Sequence, residues 1–308
     1  MFENYTKIVP GIGAIFVFKI WFIITSAGIW DNVVMFRLII SNKNKVVLCL
    51  GLIIVAALSH WLEVNLETKA VFLDVGQGDA TLLITSDGKT ILVDGGPDNL
   101  LLRRLSQYLS YWQRRIDYIL VSHFHDDHIT GLIEVLRRYE VGEIIYANKL
   151  DSDITLILER TAQEMSVPIR QTTKETKIKF SEDCYMLLIS PESLISSHDD
   201  NDSLITYFSC NSLSVLLTGD NRQAVEESLI KTWSNVKADV LKAGHHGSKT
   251  ASSESFMHSV SPEFMVISVG EGNRFGHPHQ DTIDRAKRLD IKIFRTDFFG
   301  NIVIRDDK

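Results

Sequence analysis

The sequence predicts an α+β protein of the four-layer αββα type, in which two mixed sheets pack face to face between outer helices, preceded by two transmembrane helices. Two observations lead to this fold class. Residues 69–308 form two halves, each with apolar strands first and amphipathic helices after them. Residues 1–68 are dominated instead by two long apolar runs. Loops at one edge of such paired sheets would converge on a shared site.

Residues 1–68 are predicted to be a membrane-anchoring segment with two transmembrane helices. The first apolar run, at 8–30, is long enough to span a bilayer, which takes about 20 apolar residues. A charged residue in its middle, Lys19, counts against this assignment. The second run, at 46–61, is shorter and ends at Trp61, a residue type of membrane interfaces. A pair of buried core helices is the alternative.

The charges between the two apolar runs predict how the chain is oriented in the membrane. The link carries Arg37, Lys43 and Lys45, and the positive-inside rule therefore places it in the cytoplasm. Both ends of the chain, including the domain at 69–308, are then predicted to lie on the extracytoplasmic side of the cell membrane.

Composition narrows the function classes and the redox environment. The formal net charge is -7, so no global basic field indicates nucleic-acid binding, although a bound metal would supply local positive charge. The three cysteines, Cys49, Cys184 and Cys210, show no C-x-x-C spacing and lie in apolar or strand-like runs. We predict that all three are free and buried, without a disulfide framework.

Periodicity and turn residues predict the elements of residues 69–308 in order. The chain is predicted to begin with a strand at 70–75, a hairpin of strands 80–85 and 90–93, a helix at 100–112, a strand at 119–121, a helix at 129–139, a strand at 143–146 and a helix at 154–165. It is predicted to continue with strands near 169, 178 and 185–189, a hairpin of strands 204–210 and 213–217, a helix at 222–233, a strand at 238–241, a helix at 253–260, a strand at 264–269, a helix at 281–289 and two closing strands.

A cluster of metal-binding residue types follows the apolar run 119–121. His123, His125, Asp127 and His128 form the pattern H-x-H-x-D-H. Four ligands within six residues cannot all reach a metal from one helix or one strand, but they can from a loop at the end of a buried strand. Neutral nitrogen with hard oxygen suits Zn, Mn or Fe. A polar loop with surface histidines is the alternative.

Two further aspartates and two histidine pairs have a similar setting. Asp94 and Asp220 end apolar strands, and each lies beside a glycine, which allows close backbone approach. A carboxylate such as Asp220 could bridge two metals about 3.5–4 Å apart. The pairs at 245/246 and 277/279 lie in Gly- or Pro-containing loops. For each aspartate alone, the alternative is a turn or capping residue.

Taken in order, D-G-G, H-x-H-x-D-H, T-G-D and H-H-G-S resemble the metallo-β-lactamase superfamily. Longer strings resemble the C-terminal domain of ComEC-type DNA-uptake (competence) proteins: F-L-D-V-G-Q-G-D-A (72–80), I-L-V-D-G-G (91–96), L-L-T-G-D (216–220), L-K-A-G-H-H-G-S-K-T (241–250) and N-R-F-G-H-P-H (273–279). The resemblance covers residues 69–308 and implies a metallo-β-lactamase-like hydrolase domain with the metallo-β-lactamase fold.

The resemblance also implies a site for two divalent metal ions, Zn or Mn. The implied metal ligands are His123, His125, Asp127, His128, the bridging Asp220 and His245, with His246 as the alternative to His245. Asp94 resembles the aspartate that orients the metal loop, and Asp79 is a candidate for a similar part or for a plain turn role. The implied catalytic residues are Asp127, His277 and Lys249, and the substrate contacts are Ser248 and His279, with Lys249 equally a plain solvated lysine.

The chain departs from the family pattern in two places. Many superfamily hydrolases have a further metal-binding histidine before T-G-D, where this chain reads H-D-D-N-D-S at 198–203. His198 or Asp202 is the candidate there, or the first metal is open on that side. ComEC-type proteins also carry a multi-spanning channel and another soluble domain, for which residues 1–68 leave no room. This chain would then be a truncated product or the partner of a separately encoded channel subunit.

Three functional hypotheses follow. The first is a membrane-anchored metallohydrolase, a nuclease that cleaves phosphodiesters of DNA during uptake. The second is a non-catalytic membrane component of DNA uptake with a vestigial metal site, against which the intact ligand motifs argue. The third is a metallohydrolase of a small phosphodiester or a lactam, because the superfamily hosts many chemistries on one fold. The predicted partners are DNA, the membrane and a separate uptake channel.

Overall fold

The computed structural model describes residues 47–56, 67–194, 202–233 and 236–306. Contacts divide the chain into two compact units, Met1–Asn65 and Leu66–Lys308. In the first unit residues 47–56 form a helix. The predicted span at 8–30 lies outside the described residues, as do both ends of the one at 46–61. No helix in the described part of the chain is both long and apolar enough to cross a membrane.

The first sheet of the larger unit combines antiparallel and parallel pairing. Its strands are β1 (Lys69–Phe72), β2 (Thr81–Ile84), β3 (Thr90–Val93), β4 (Arg115–Val121), β5 (Glu140–Tyr146), β6 (Ile169–Gln171) and β14 (Ile302–Arg305). Their order is β14-β1-β2-β3-β4-β5-β6. β14 to β3 pair antiparallel, whereas β3 to β6 run parallel. The apolar run 119–121 therefore lies in a central parallel strand, which is buried on both faces.

The second sheet has the same mixed character. Its strands are β7 (Thr176–Lys179), β8 (Cys184–Ile189), β9 (Ile205–Cys210), β10 (Leu213–Leu217), β11 (Val240–Lys242), β12 (Phe264–Ile267) and β13 (Lys292–Arg295). Their order is β13-β12-β11-β10-β9-β8-β7. β7 to β10 pair antiparallel and β10 to β13 run parallel. The predicted hairpin of β9 and β10 is confirmed.

Three apolar cores give the unit its four layers. The helices are α1 (Leu100–Leu105), α2 (Asp126–Arg138), α3 (Asp153–Glu164), α4 (Gln223–Thr232), α5 (Glu254–Val260), α6 (Gln280–Arg288) and α7 (Thr296–Phe299). One core joins the first sheet to α1–α3, one joins the two sheets, and one joins the second sheet to α4–α6. Successive residues of a strand point to opposite faces, so Ala70 and Phe72 enter the core between the sheets and Val71 the outer core. The predicted αββα architecture is confirmed.

Two predicted helix boundaries are wrong for local reasons. The helix predicted at 100–112 ends at Leu105, where the Ser106 hydroxyl donates to the Arg103 carbonyl and competes with the helical pattern. The helix predicted to begin at 129 begins at Asp126. The second half of the H-x-H-x-D-H pattern is therefore helical, and the loop carries only the first half.

The prediction of three free, buried cysteines is also wrong. Cys184 in β8 lies opposite Cys210 in β9, and the two form a disulfide. Cys49 is free but exposed. The two bonded cysteines are 26 residues apart and meet only because β8 and β9 pair in this register, which cysteine spacing alone does not reveal.

Candidate metal centre

The histidine-rich segment changes from loop to helix in its middle. His123 and His125 follow the end of β4, and His125 is the N-cap of α2. Asp127 and His128 lie in the first turn of that helix. A carboxylate in a first helical turn is stabilised by the helix dipole, by about 0.3–1 kcal/mol at exposed sites. One strand end and one helix start therefore carry the four candidate ligands. His125 Nδ1 lies 3.0 Å from His123 Nε2, but His125 belongs to none of the ligand groups found among the described residues.

Asp94 holds the imidazole of His128 in one orientation. The Nδ1–H of His128 donates to Asp94 Oδ2 over 2.9 Å, so His128 Nε2 is directed away from Asp94. Asp94 Oδ1 and Oδ2 also accept from the amide and hydroxyl of Ser122. The Ser122 hydroxyl lies 3.0 Å from His123 Nδ1 and can accept a hydrogen bond from its N–H. A carboxylate that fixes the tautomer of a ligating histidine is a general feature of metal sites.

Asp220 lies at the centre of the histidines. Its Oδ2 is 3.9 Å from His123 Nε2 and 3.8 Å from His128 Nε2, both from the first sheet. It is also 3.8 Å from His246 Nε2 and 3.7 Å from His245 Nε2, both from the second sheet. Asp220 follows the end of β10 and is buried. This position is the one that a bridging ligand needs.

His245 and His246 lie in a tight turn after β11, and the two differ in burial. Both have left-handed backbones, with φ of 45° and 51°, which cost roughly 1–3 kcal/mol each in non-glycine residues. His246 is buried, donates from Nδ1 to the Ser268 carbonyl over 3.0 Å, and has Nε2 3.6 Å from Asp127 Oδ2. The His245 side chain is 30% exposed. His246, the alternative in the sequence analysis, therefore shares candidate ligand groups with Asp127 and Asp220, whereas His245 belongs to none of the groups found among the described residues.

Asp79 joins the G-Q-G-D turn to the site and has a cationic partner that the sequence analysis missed. The buried Lys242 ammonium forms an ion pair with Asp79 Oδ2, and Asp79 Oδ1 lies 3.4 Å from His246 Nδ1. The Asp79 amide donates to the Asp127 carbonyl over 3.2 Å. A side chain on Gly78 would come within 2.2 Å of that carbonyl, which is why glycine is needed there. The missed signal was a lysine inside the apolar run V-L-K-A before G-H-H-G.

Burial and charge oppose each other in this cluster. Burial lowers the pKa of His246, but the carboxylates of Asp220 and Asp79 outweigh it and raise that pKa to about 10. Burial also lowers the pKa of His128, but the carboxylates of Asp220 and Asp94 outweigh it and raise that pKa to about 9. Burial opposes ionisation of Asp220, but the surrounding cations hold its pKa well below the usual range. The carboxylates therefore create a strong demand for positive charge at the site.

The donor set fits divalent metal ions. His128 Nε2, His246 Nε2 and Asp220 Oδ1 are buried and make no hydrogen bond to any described residue. Ligand atoms lie within 4.8 Å of one another in the groups His123–His128–Asp220 and Asp127–His128–His246. Asp79 and Asp94 form further groups with the same residues. Mixed imidazole and carboxylate donors suit Zn or Mn.

The segment before T-G-D supplies hydroxyl and amide groups to the site. Ser203 Oγ lies 3.3 Å from His123 Nδ1 and accepts from the Asp220 amide over 2.9 Å. The Asn221 side chain bonds both the amide and the carbonyl of Ser203. Asp202 is buried with Oδ1 3.8 Å from Arg222, and it belongs to none of the ligand groups found among the described residues. His198 lies outside the described residues.

The remaining candidate residues lie next to His245 or on the loop that follows G-H-H-G. The rings of His277 and His245 are 5.5 Å apart, and burial, with the neighbouring histidines, lowers the pKa of His277 to about 4. His279 Nδ1 accepts from the Lys249 amide over 3.1 Å, so this ring secures the loop after G-H-H-G. The Lys249 side chain is exposed. Ser248 is buried, with its hydroxyl 3.0 Å from that of Thr250.

Comparison with known proteins agrees with this geometry. Residues 73–271 match the family model described as the metallo-beta-lactamase superfamily. The chain is 28% identical to ComE operon protein 3 of Bacillus subtilis over 78% of its own length and 33% of that protein. It is 29% identical to competence protein ComA of Neisseria gonorrhoeae over 76% of its length and 32% of that protein. The chain thus spans about a third of these ComEC-type competence proteins, and the resemblance drawn from its motifs is confirmed.

A solved structure shows the same fold. The metallo-beta-lactamase fold protein YhfI of Bacillus subtilis superimposes with a TM-score of 0.54 and 15% identity, covering 78% of this chain and all of YhfI.

Proposed function

The chain belongs to the metallo-beta-lactamase superfamily, and we propose that it is a metal-dependent phosphodiesterase that hydrolyses DNA during competence-type DNA uptake. The main support is the convergence of unpartnered imidazole and carboxylate atoms from both sheets on Asp220. The competence relatives support DNA as the substrate.

The residues around Asp220 divide the work at the site. Divalent ions held by His123, His128, Asp127, His246 and the shared Asp220 would polarise a phosphoryl oxygen and generate hydroxide near neutral pH. Asp94 keeps His128 Nε2 directed into the site by accepting a hydrogen bond from Nδ1–H. In the same way the Ser268 carbonyl orients His246.

His277 is placed to bind substrate next to the ligand cluster. With a pKa of about 4, its ring is neutral near pH 7 and is a poor acid for a leaving group. Its N–H can still donate a hydrogen bond to a phosphate oxygen. The exposed Lys249 and the backbone around Ser248 lie beside the same loop and would add positive charge and donors.

We further propose that the domain acts outside the cytoplasm, anchored by residues 1–68. The Cys184–Cys210 disulfide supports this location, because disulfides persist mainly in oxidising compartments. The uncharged apolar run at 46–61 and the basic link before it support the anchor. An enzyme tethered beside a DNA-uptake channel would need little DNA affinity of its own, which is compatible with the net charge of -7.

The test is metal-dependent cleavage by the full chain. The protein is purified metal-free, its uptake of Mn²⁺ and Zn²⁺ is measured, and end-labelled single-stranded DNA is the substrate. We expect cleavage that requires metal and that falls to background in the double variant Asp127→Ala, His128→Ala. Asp126→Asn is the matched control, because Asp126 is exposed in the same motif and lies in none of the ligand groups.

Other outcomes distinguish the alternatives. Bound metal without cleavage of DNA would contradict the proposed substrate and favour a small phosphodiester or a lactam, which would be assayed next. Failure to bind either metal would contradict a catalytic role and favour a non-catalytic component of DNA uptake.

A further inference from the structure

The loop between β12 and α6 carries an exposed aromatic ring beside the candidate metal centre. Phe275 is 49% exposed, and its ring lies nearly parallel to that of His277, with an angle of 23° and centroids 5.9 Å apart. His277 contacts His245, whose Nε2 is 3.7 Å from Asp220. Phe275 is therefore two ring contacts away from His245, which lies beside Asp220.

Asn273 holds this loop in its shape. Its Oδ1 accepts from the amides of Phe275, over 3.2 Å, and His277, over 3.0 Å. Its Nδ2 donates to the carbonyls of Gly270 and His277, over 3.0 and 2.7 Å. Four hydrogen bonds thus fix the backbone on both sides of the exposed ring. A ring that is held before binding loses little conformational entropy when a partner stacks on it.

A cation accompanies the ring. The Arg274 guanidinium lies 4.9 Å from the centroid of Phe275. An aromatic face with an adjacent arginine can stack a nucleobase and attract the phosphate next to it. Because the chain has a net charge of -7, a polyanion can approach it more easily at a local cation such as Arg274.

We propose that Phe275 is a stacking platform for an unpaired nucleobase next to the scissile phosphate, so that the substrate is single-stranded nucleic acid. This inference rests on the proposed phosphodiesterase function and specifies its substrate. In a duplex both faces of a base are covered by its neighbours, whereas a single strand can offer one face to Phe275. Every base has such a face, so cleavage has little sequence preference.

The test compares variants of the full chain on two metal-dependent cleavage substrates. One is a single-stranded oligonucleotide, and the other has the same length with abasic sites in place of the bases. For Phe275→Ala we expect a KM about 5-fold to 150-fold higher on the normal strand, at about 1–3 kcal/mol per stacked base. Its KM on the abasic strand is expected to be unchanged, and Phe275→Trp is expected to behave as wild type.

The chain offers a matched control. Tyr111 is also exposed, and the Arg114 guanidinium lies 4.9 Å from its ring. Tyr111 precedes β4, whereas His123 follows the end of that strand. The strand itself is about 20 Å long at about 3.3 Å per residue, so the two residues lie at opposite ends of it. Tyr111→Ala should leave both KM values unchanged.

Two results would overturn the platform. In the first, Phe275→Ala cleaves the normal strand with an unchanged KM. In the second, it loses activity equally on both substrates, as expected if Phe275 only supports His277. If the wild type cleaves neither substrate, the proposed function fails, and binding of an oligonucleotide containing 2-aminopurine decides on stacking alone. Fluorescence quenching that disappears in Phe275→Ala supports the platform, and equal quenching in both proteins refutes it.

Discussion

Replacing Lys242 by methionine tests whether a buried ion pair supports the site. The Lys242 side chain is 3% exposed and forms an ion pair with Asp79, which is itself buried. The carboxylates of Asp79 and Asp220 keep the pKa of this lysine above its ordinary value, although burial opposes them. Methionine has a similar shape without the charge, so Lys242→Met removes the cation with little change in packing.

The expected loss follows from the charge left behind. Removing one partner of a buried ion pair costs about 3–5 kcal/mol, because the other charge stays buried without compensation. In Lys242→Met the Asp79 carboxylate still has two histidines near it, with His246 Nδ1 3.4 Å from Oδ1 and His128 Nδ1 3.9 Å from Oδ2. Part of its negative charge therefore remains compensated. We therefore expect a loss near the lower end, about 3 kcal/mol in the free energy of unfolding.

Urea unfolding of the full chain, at pH 7 with EDTA present, measures this loss. The double variant Asp79→Asn, Lys242→Met should recover most of the stability, because neither charge is then buried alone. Lys237→Met, at an exposed lysine nearby, should stay within about 0.5 kcal/mol of wild type. A loss below about 1 kcal/mol in Lys242→Met, or a double variant no more stable than the single one, would refute the reasoning.

Two further predictions concern stability and covalent structure. Burial raises the pKa of Glu226 from 4.5 to about 7, so the stability that its protonated form contributes is present below about pH 4.5 and lost as the pH rises through about 7. Urea titrations should show that, relative to Glu226→Gln, the wild type loses on the order of 3 kcal/mol in its free energy of unfolding over that pH range, at about 1.4 kcal/mol per pKa unit. Glu227→Gln is the exposed control. A difference between wild type and Glu226→Gln that does not change with pH would contradict this prediction. Thiol titration in denaturant should find only Cys49 before reduction and all three cysteines after it; three thiols before reduction would exclude the disulfide.

The order of strands and helices in residues 69–308 was predictable because hydrophobic periodicity and turn residues are local signals. Asn211, with a φ of 55°, makes the turn between β9 and β10 where the sequence indicated a hairpin. Strand ends were also predictable, and with them the edge of the first sheet at which Asp94 and His123 follow neighbouring parallel strands. Parallel strands bring their carboxyl ends together whatever the details of packing.

The choice between His245 and His246 was not predictable from the same signals. Both follow β11 and both are histidines, so spacing cannot separate them. The choice depends on two successive left-handed residues, which direct His246 inward to the Ser268 carbonyl. No local preference indicates such a backbone, because non-glycine residues seldom adopt it. Lys242 was missed for a related reason, since only the fold brings Asp79 to it.

The two sheets each supply half of the candidate site, and this division explains why the motifs are spread along the chain. The first sheet contributes Asp94 and His128, which follow β3 and β4, and the second contributes Asp220 and His246, which follow β10 and β11. The candidate ligand groups His123–His128–Asp220 and Asp127–His128–His246 each need residues from both halves. The apolar core between the sheets therefore sets the distance across which Asp220 meets the histidines. Close-packed cores resist changes in that distance, so the packing of the two sheets positions the ligands as directly as any single loop does.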